Sequence, residues 1–133
     1  EWNMLLSFLI LPLFISAAET KIPESFVDVT SVNPQIQVEL RYNSDWNFIG
    51  RRIAGYNANK CYLKKATAEA LSQVQKDVEK KGISLLIFDC YRPQQAVNDF
   101  MEWAKNDDQK MKVFFYPDVE KSALVKDGYI SDK

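Results

Sequence analysis

Apolar and polar residues alternate over 36–42, where Ile36, Val38, Leu40 and Tyr42 fall on one side of an extended chain and Gln37, Glu39 and Arg41 on the other. That period of two predicts a half-buried strand. Phe26-Val27-Asp28-Val29 alternates in the same way and predicts a shorter one. The period then changes. Over 66–81, Ala70, Leu71, Val74 and Val78 recur at the spacing of a helix stripe, and Gly82 suits the helix stop. Ile83-Ser84-Leu85-Leu86-Ile87-Phe88 is a nearly continuous apolar run, which reads as a covered core strand. Pro93 fixes φ and suits the first turn of a second helix, running to about Lys105 and buried through Ala96, Val97, Phe100, Met101 and Ala104. Val113-Phe114-Phe115-Tyr116 is a short apolar segment ended by Pro117, and a brief helix is expected around 121–126, before Gly128. Residues 43–60 hold Asn, Asp and Gly in abundance; they form a long loop, of the length that often carries function.

The first 18 residues stand outside this pattern. The apolar run over 4–15 has the length of a secretory h-region and is too short to span a bilayer comfortably. Ser16-Ala17-Ala18 places small residues for cleavage before Glu19, although the chain opens on Glu1 and no Lys or Arg precedes the run. Residues 1–18 are therefore expected to be a partly cropped signal peptide, and the protein to be exported to a periplasmic or extracellular space. Residues 19–133, about 115 in number, suffice for one domain with a modest core.

Export changes the meaning of the two cysteines. Cys61 and Cys90 lie 29 positions apart, one before the first long helix and one at the end of the strand after it. A helix returning onto its own strand brings such ends together, so a disulfide is expected. A loop of that size would stabilise the fold by roughly 3–4 kcal/mol on the chain-entropy view. A zinc pair would need two further ligands, and the chain has no histidine. With 18 acidic and 17 basic residues the net charge is −1, which gives no basic patch for nucleic acid. The aromatic share of 13% suits a packed domain containing helices and strands. Only four glycines are present, and none builds a phosphate-binding loop.

The densest chemistry follows the core strand, where Asp89-Cys90-Tyr91-Arg92 sets an acid, a thiol, a phenol and a guanidinium side by side before Pro93. On local chemistry alone, Asp89 and Arg92 pair and cap a strand-to-helix corner. A rigid corner of this kind also aims side chains at a ligand.

The stretch Phe88-Asp89-Cys90-Tyr91-Arg92-Pro93-Gln94-Gln95-Ala96-Val97, with Phe100 and Trp103 after it, resembles the D-alanyl-D-alanine dipeptidases of the VanX type. So do Val38-Glu39-Leu40-Arg41-Tyr42, Asn47-Phe48-Ile49-Gly50, Lys60-Cys61-Tyr62-Leu63 and Lys126-Asp127-Gly128-Tyr129-Ile130. The resemblance spans residues 26–133. It implies an α+β zinc metallopeptidase, with a small antiparallel or mixed sheet and packed helices as in the hedgehog-like zinc fold, that hydrolyses the dipeptide D-Ala-D-Ala in cell-wall metabolism. In that family zinc, held by two His and one Asp, activates a water and polarises the scissile carbonyl, and a Glu is the general base. An Arg donates to the developing oxyanion. Arg92 matches that Arg, with Asp89 and Tyr91 as the shell that orients it. Tyr129 matches a pocket position, and Tyr42, Asn47 and Phe48 match another pocket wall.

The family's Ser-x-His-x-x-Gly-x-x-x-Asp segment and its later Glu-x-x-x-His-like segment have no counterpart in these 133 residues. The metal ligands and the base are therefore expected to be missing here, zinc is not expected to bind, and the 133-residue chain is expected to be an incomplete, inactive dipeptidase domain. Its implied partner is a small peptide, with no nucleic acid and no stable membrane span; nothing in the sequence specifies an oligomeric state. Two alternatives accompany this reading: a non-catalytic module that holds D-Ala-terminated cell-wall peptides, and the remnant of a D,D-carboxypeptidase.

Overall fold

A computed structural model describes residues 21–131. The signal-peptide reading of residues 1–18 lies outside the described residues. The elements in chain order are β1 (Phe26–Asp28), α1 (Val29–Val32), β2 (Gln37–Val38), a 3-10 turn (Arg41–Asn43), β3 (Tyr62–Lys64), α2 (Lys65–Glu79), β4 (Leu86–Ile87), α3 (Gln94–Ala104), α4 (Lys112–Phe115) and α5 (Ala123–Lys126). The class is α+β. β1 and β3 pair antiparallel, with Val27 opposite Leu63, and β2 and β4 pair parallel, with Val38 opposite Ile87. The expected mixed sheet is thus two short ladders, one of each kind. Among the described residues no helix is long and apolar enough to cross a membrane.

The strand expected over 36–42 shortens to β2, because the backbone turns into the 3-10 helix at Arg41. Its hydrogen bonding continues past that limit: Glu39 donates its amide to the Ile87 carbonyl at 2.9 Å and Arg41 to the Phe88 carbonyl at 3.2 Å. The alternation survives in the burial, with Ile36 and Leu40 both buried.

The stripe expected on α2 is corrected. Ala68, Ser72 and Gln75 are its buried positions, while Val74 is 46% exposed and Ala70 lies on the exposed side. The helix is rotated because two polar side chains satisfy buried groups. Asn33 donates its amide to Ser72 Oγ at 3.1 Å. Gln75 accepts from the Leu85 amide at 2.8 Å and donates to Glu79 Oε1 at 2.7 Å, which seats the entry to β4.

The strand expected over 83–88 is corrected too. β4 is covered on one face only: Leu85 and Ile87 pack inward, while Ile83, Leu86 and Phe88 are 57%, 44% and 43% exposed. The short apolar segment 113–116 falls in α4 and its C-cap, and only Tyr116 in it is buried. Pro93 stands just before α3, at its N-cap, and α3 buries Ala96, Phe100 and Trp103.

Two apolar clusters result. One gathers Val29, Ile36, Cys61 and Ala68 under α2; the other gathers Leu40, Ile49, Ile53, Tyr56, Phe100 and Trp103 under α3. Val38 and Cys90 pack against both. Cys61 and Cys90 are joined in a disulfide, with their Cα atoms 5.3 Å apart, so the bond ties β3 to the corner between the clusters. Beneath α5, buried Lys121 donates to the Asn106 and Asp108 carbonyls at 2.6 and 2.8 Å, with its ammonium 3.9 Å from the Trp103 ring centre.

Candidate functional site

The corner after β4 is held from several directions. The Phe88 carbonyl is taken by Arg41, the Tyr91 amide donates to the Tyr62 carbonyl at 3.0 Å, and Cys90 is bonded to Cys61. Pro93 closes against Gly55, whose φ is +87°; a Cβ there would stand 2.7 Å from Pro93 Cγ. Only glycine allows the loop to approach the corner so closely.

Asp89 is the hub. Its Oδ2 accepts from Arg92 Nη2 at 2.7 Å, while Oδ1 accepts from the Cys90 amide and from the Tyr56 hydroxyl, each at 2.9 Å. The Arg92 guanidinium carbon lies 5.4 Å from the Tyr42 ring centre and 5.1 Å from that of Phe100, within cation–π range. Burial would lower the Arg92 pKa, but the hydrogen bond and charge of Asp89 outweigh it and hold the pKa above its ordinary value. Burial first, then the Asp89 carboxylate, push the Tyr56 phenol well above the usual tyrosine range, so it remains a donor. Burial raises Tyr42 as well, against the opposing pull of Arg92. The product is a permanent cation with one edge fixed by a carboxylate and two aromatic rings beside it, at 38% side-chain exposure. That geometry can receive an oxyanion without reorganising.

The loop that supplies Tyr56 is fastened to α3. Arg51 forks onto Asp99 at 2.6 and 2.8 Å, and the Ala54 amide donates to the same carboxylate at 2.9 Å. The hydrogen bond to Arg51 holds the Asp99 carboxyl below its ordinary range.

The remaining residues suggested by the sequence fall in different places. Tyr42 and Phe48 stand together, with ring centres 6.1 Å apart, beside a cavity of about 360 Å³ that Phe115, Tyr116, Leu124 and Tyr129 also line. Tyr129 is 67% exposed, so it is a wall and no core aromatic. A second recess of about 160 Å³ connects Tyr42, Phe48 and Phe115 to Asp89 and Phe88. Asn47 touches this recess, but it is buried and its amide is engaged throughout. It donates to the Ser44 and Arg51 carbonyls at 2.8 Å and accepts from the Ile49 amide at 2.9 Å. It braces Phe48 and has no capacity left for a ligand. Tyr91 is turned away from Arg92; its ring meets Phe26 edge-on at 4.9 Å. The phenol that meets Asp89 is that of Tyr56, where Tyr91 is the expected one. A lone tyrosine beside a glycine, within a polar loop, was the available signal.

The residues present do not fit a catalytic zinc. The sequence has no histidine, both cysteines are oxidised, and no three His, Cys, Asp or Glu among the described residues are grouped to hold an ion.

The profile of the D-ala-D-ala dipeptidase family matches residues 23–128. A D-alanyl-D-alanine dipeptidase of Enterococcus faecium is 30% identical over 99 residues, covering 74% of this chain and 49% of the relative. One from Streptomyces coelicolor is 33% identical over 107 residues, covering 80% and 53%. One from Escherichia coli is 36% identical over 70 residues, covering 53% and 35%. The chain spans about half the length of the curated relatives it matches. The matched stretch contains the whole Tyr56–Asp89–Arg92 corner, and the chain belongs to the D-ala-D-ala dipeptidase family.

Proposed function

We propose that these residues form the oxyanion-binding part of a zinc-dependent peptidase that cleaves D-Ala-D-Ala in cell-wall metabolism. The observation that carries this reading is Arg92, held by Asp89 and flanked by Tyr42 and Phe100 inside the stretch matched to the family. Arg92 donates to the carbonyl oxygen as it gains charge, and the cavity walled by Phe48, Tyr129 and Tyr42, the ring Arg92 stands against, takes the small peptide. Zinc supplies the activated water in the family. The donor set here does not fit it, so no step is assigned to the metal from these residues.

On this reading the 133-residue chain by itself does not hydrolyse the dipeptide, and the protein works after export, in the periplasm or outside the cell. The reading as a binding module for D-Ala-terminated peptides predicts a self-sufficient surface. Against it stand Leu86 and Phe88, large apolar side chains left 44% and 43% exposed on the strand that leads into the corner. The test measures zinc-dependent release of D-alanine from D-Ala-D-Ala. It compares the purified chain with the same chain joined to the C-terminal half of the Enterococcus faecium relative. Activity only in the joined protein is the expected result. Turnover by the chain alone would overturn its inactivity, and a joined protein that folds, binds zinc and leaves the dipeptide intact would overturn the dipeptidase reading.

A further inference from the structure

Arg92 reaches its position through a chain of contacts that begins outside its own corner. Asp89 has one oxygen on Arg92 and the other on two donors, the Cys90 amide and the Tyr56 hydroxyl. The Cys90 amide is adjacent in sequence and follows the local backbone. Tyr56 comes from 33 residues away, is only 5% exposed, and sits in the apolar cluster with Leu40, Ile53 and Phe100. Its loop is pinned by the Arg51–Asp99 fork before it, and its neighbour Gly55 rests on Pro93, immediately after Arg92. Tyr56 is therefore a second donor to Asp89 Oδ1, added from the core side to the local Cys90 amide. With Oδ1 held from two directions, Oδ2 stands where it accepts from Arg92 Nη2 at 2.7 Å.

We propose that Tyr56 is a positioning residue for Arg92: its hydroxyl locks the Asp89 carboxylate, and the carboxylate in turn holds the guanidinium edge in the orientation that meets an oxyanion. This rests on the reading of Arg92 as the oxyanion donor for its catalytic meaning, though the geometry it asserts stands apart from turnover. The proposal differs from a packing role. Tyr56 also touches the Tyr42 ring at 5.4 Å between centres, and a phenylalanine would keep that contact while losing the hydrogen bond.

The test uses the 133-residue chain with isotope-labelled arginine and reads, by NMR, the rate of rotation of the Arg92 guanidinium about Nε–Cζ. Tyr56→Phe should speed that rotation roughly tenfold, the scale of one lost hydrogen bond in a coupled pair, while the Arg51 guanidinium on Asp99 keeps its rate. An Arg92 rate unchanged in a folded Tyr56→Phe protein overturns the proposal and leaves Tyr56 a core aromatic. A second measurement needs no variant. In the wild-type chain the Tyr56 hydroxyl proton should be visible in slow exchange and show a cross-peak to the Cys90 amide proton, since both donate to one oxygen; its absence also overturns the proposal. Neither readout requires zinc or substrate, so a failure here and a failure of the dipeptidase reading are separate results.

Discussion

Arg92 and Gly55 make opposite demands on substitution. In the joined protein, Arg92→Ala should leave folding and zinc binding nearly intact and lower turnover by roughly 10²–10³-fold, the usual effect of one missing oxyanion donor. Arg92→Lys should restore little, because an ammonium cannot hold Asp89 with one edge and offer a second to substrate. Loss of the fold in Arg92→Ala, with the rate of the folded fraction unchanged, would make Arg92 a structural partner only. Gly55→Ala is a stability matter. It places a Cβ 2.7 Å from a ring carbon of Pro93 at a φ of +87°, whereas Gly82, with φ of +70°, has nothing within 4 Å of the same atom. Gly82→Ala should cost about 1 kcal/mol for conformation alone, and Gly55→Ala about 2–4 kcal/mol with the collision added, as read from urea midpoints. The Asp89–Arg92 pair was legible in the sequence because its members are three residues apart at a recognisable corner. Tyr56 was not, since its meaning depends on a loop whose path no periodicity encodes.

Elements show the same division. The alternation over 36–42 predicts the buried positions beside β2, because Ile36 and Leu40 point to the same side even though each joins a different apolar cluster. The stripe expected on α2 holds at Leu71, which packs on the cluster beneath, and fails at Ala70 and Val74, because the inner face is set by Ser72 and Gln75 satisfying Asn33 and the Leu85 amide, which apolar periodicity does not register. The fork between Arg51 and Asp99 joins the long loop to α3 and gives a pH-dependent prediction. The Asp99 carboxyl is held low in the folded state, so its contribution is full above the ordinary carboxylate range. It is lost as pH falls through the depressed folded value, since the unfolded chain binds the proton first. Asp99→Asn should therefore cost about 1–2 kcal/mol near neutrality and flatten the acid side of the stability curve, measured by urea titration across pH. A mutant curve parallel to the wild type at low pH would refute the assignment. The pairing of Cys61 with Cys90 predicts that alkylation labels no thiol until a reductant is added, and two afterwards, by intact mass.

At the level of the whole molecule, the fold class and the family could be read from the sequence, while the partial coverage of β4 could not. An apolar run such as 83–88 looks the same whether one face or two are covered. Phe88, Phe115 and Tyr129, all exposed, line the two cavities. Isolated, the 133 residues should bind a hydrophobic dye strongly, and joining them to the C-terminal half of a relative should reduce that signal several-fold. Equal dye binding in both forms would show that the patch serves some other contact. The bridge from Cys61 to Cys90 has a consequence of another kind. It turns residues 61–90, with all of α2 and β4, into a covalent ring. A protease that nicks the exposed side of α2 therefore produces no separate pieces. The nicked molecule should run as a single species without reductant and as two with it, and the stretch from Asp89 to Pro93 stays tethered at Cys61 even where the helix has been cut.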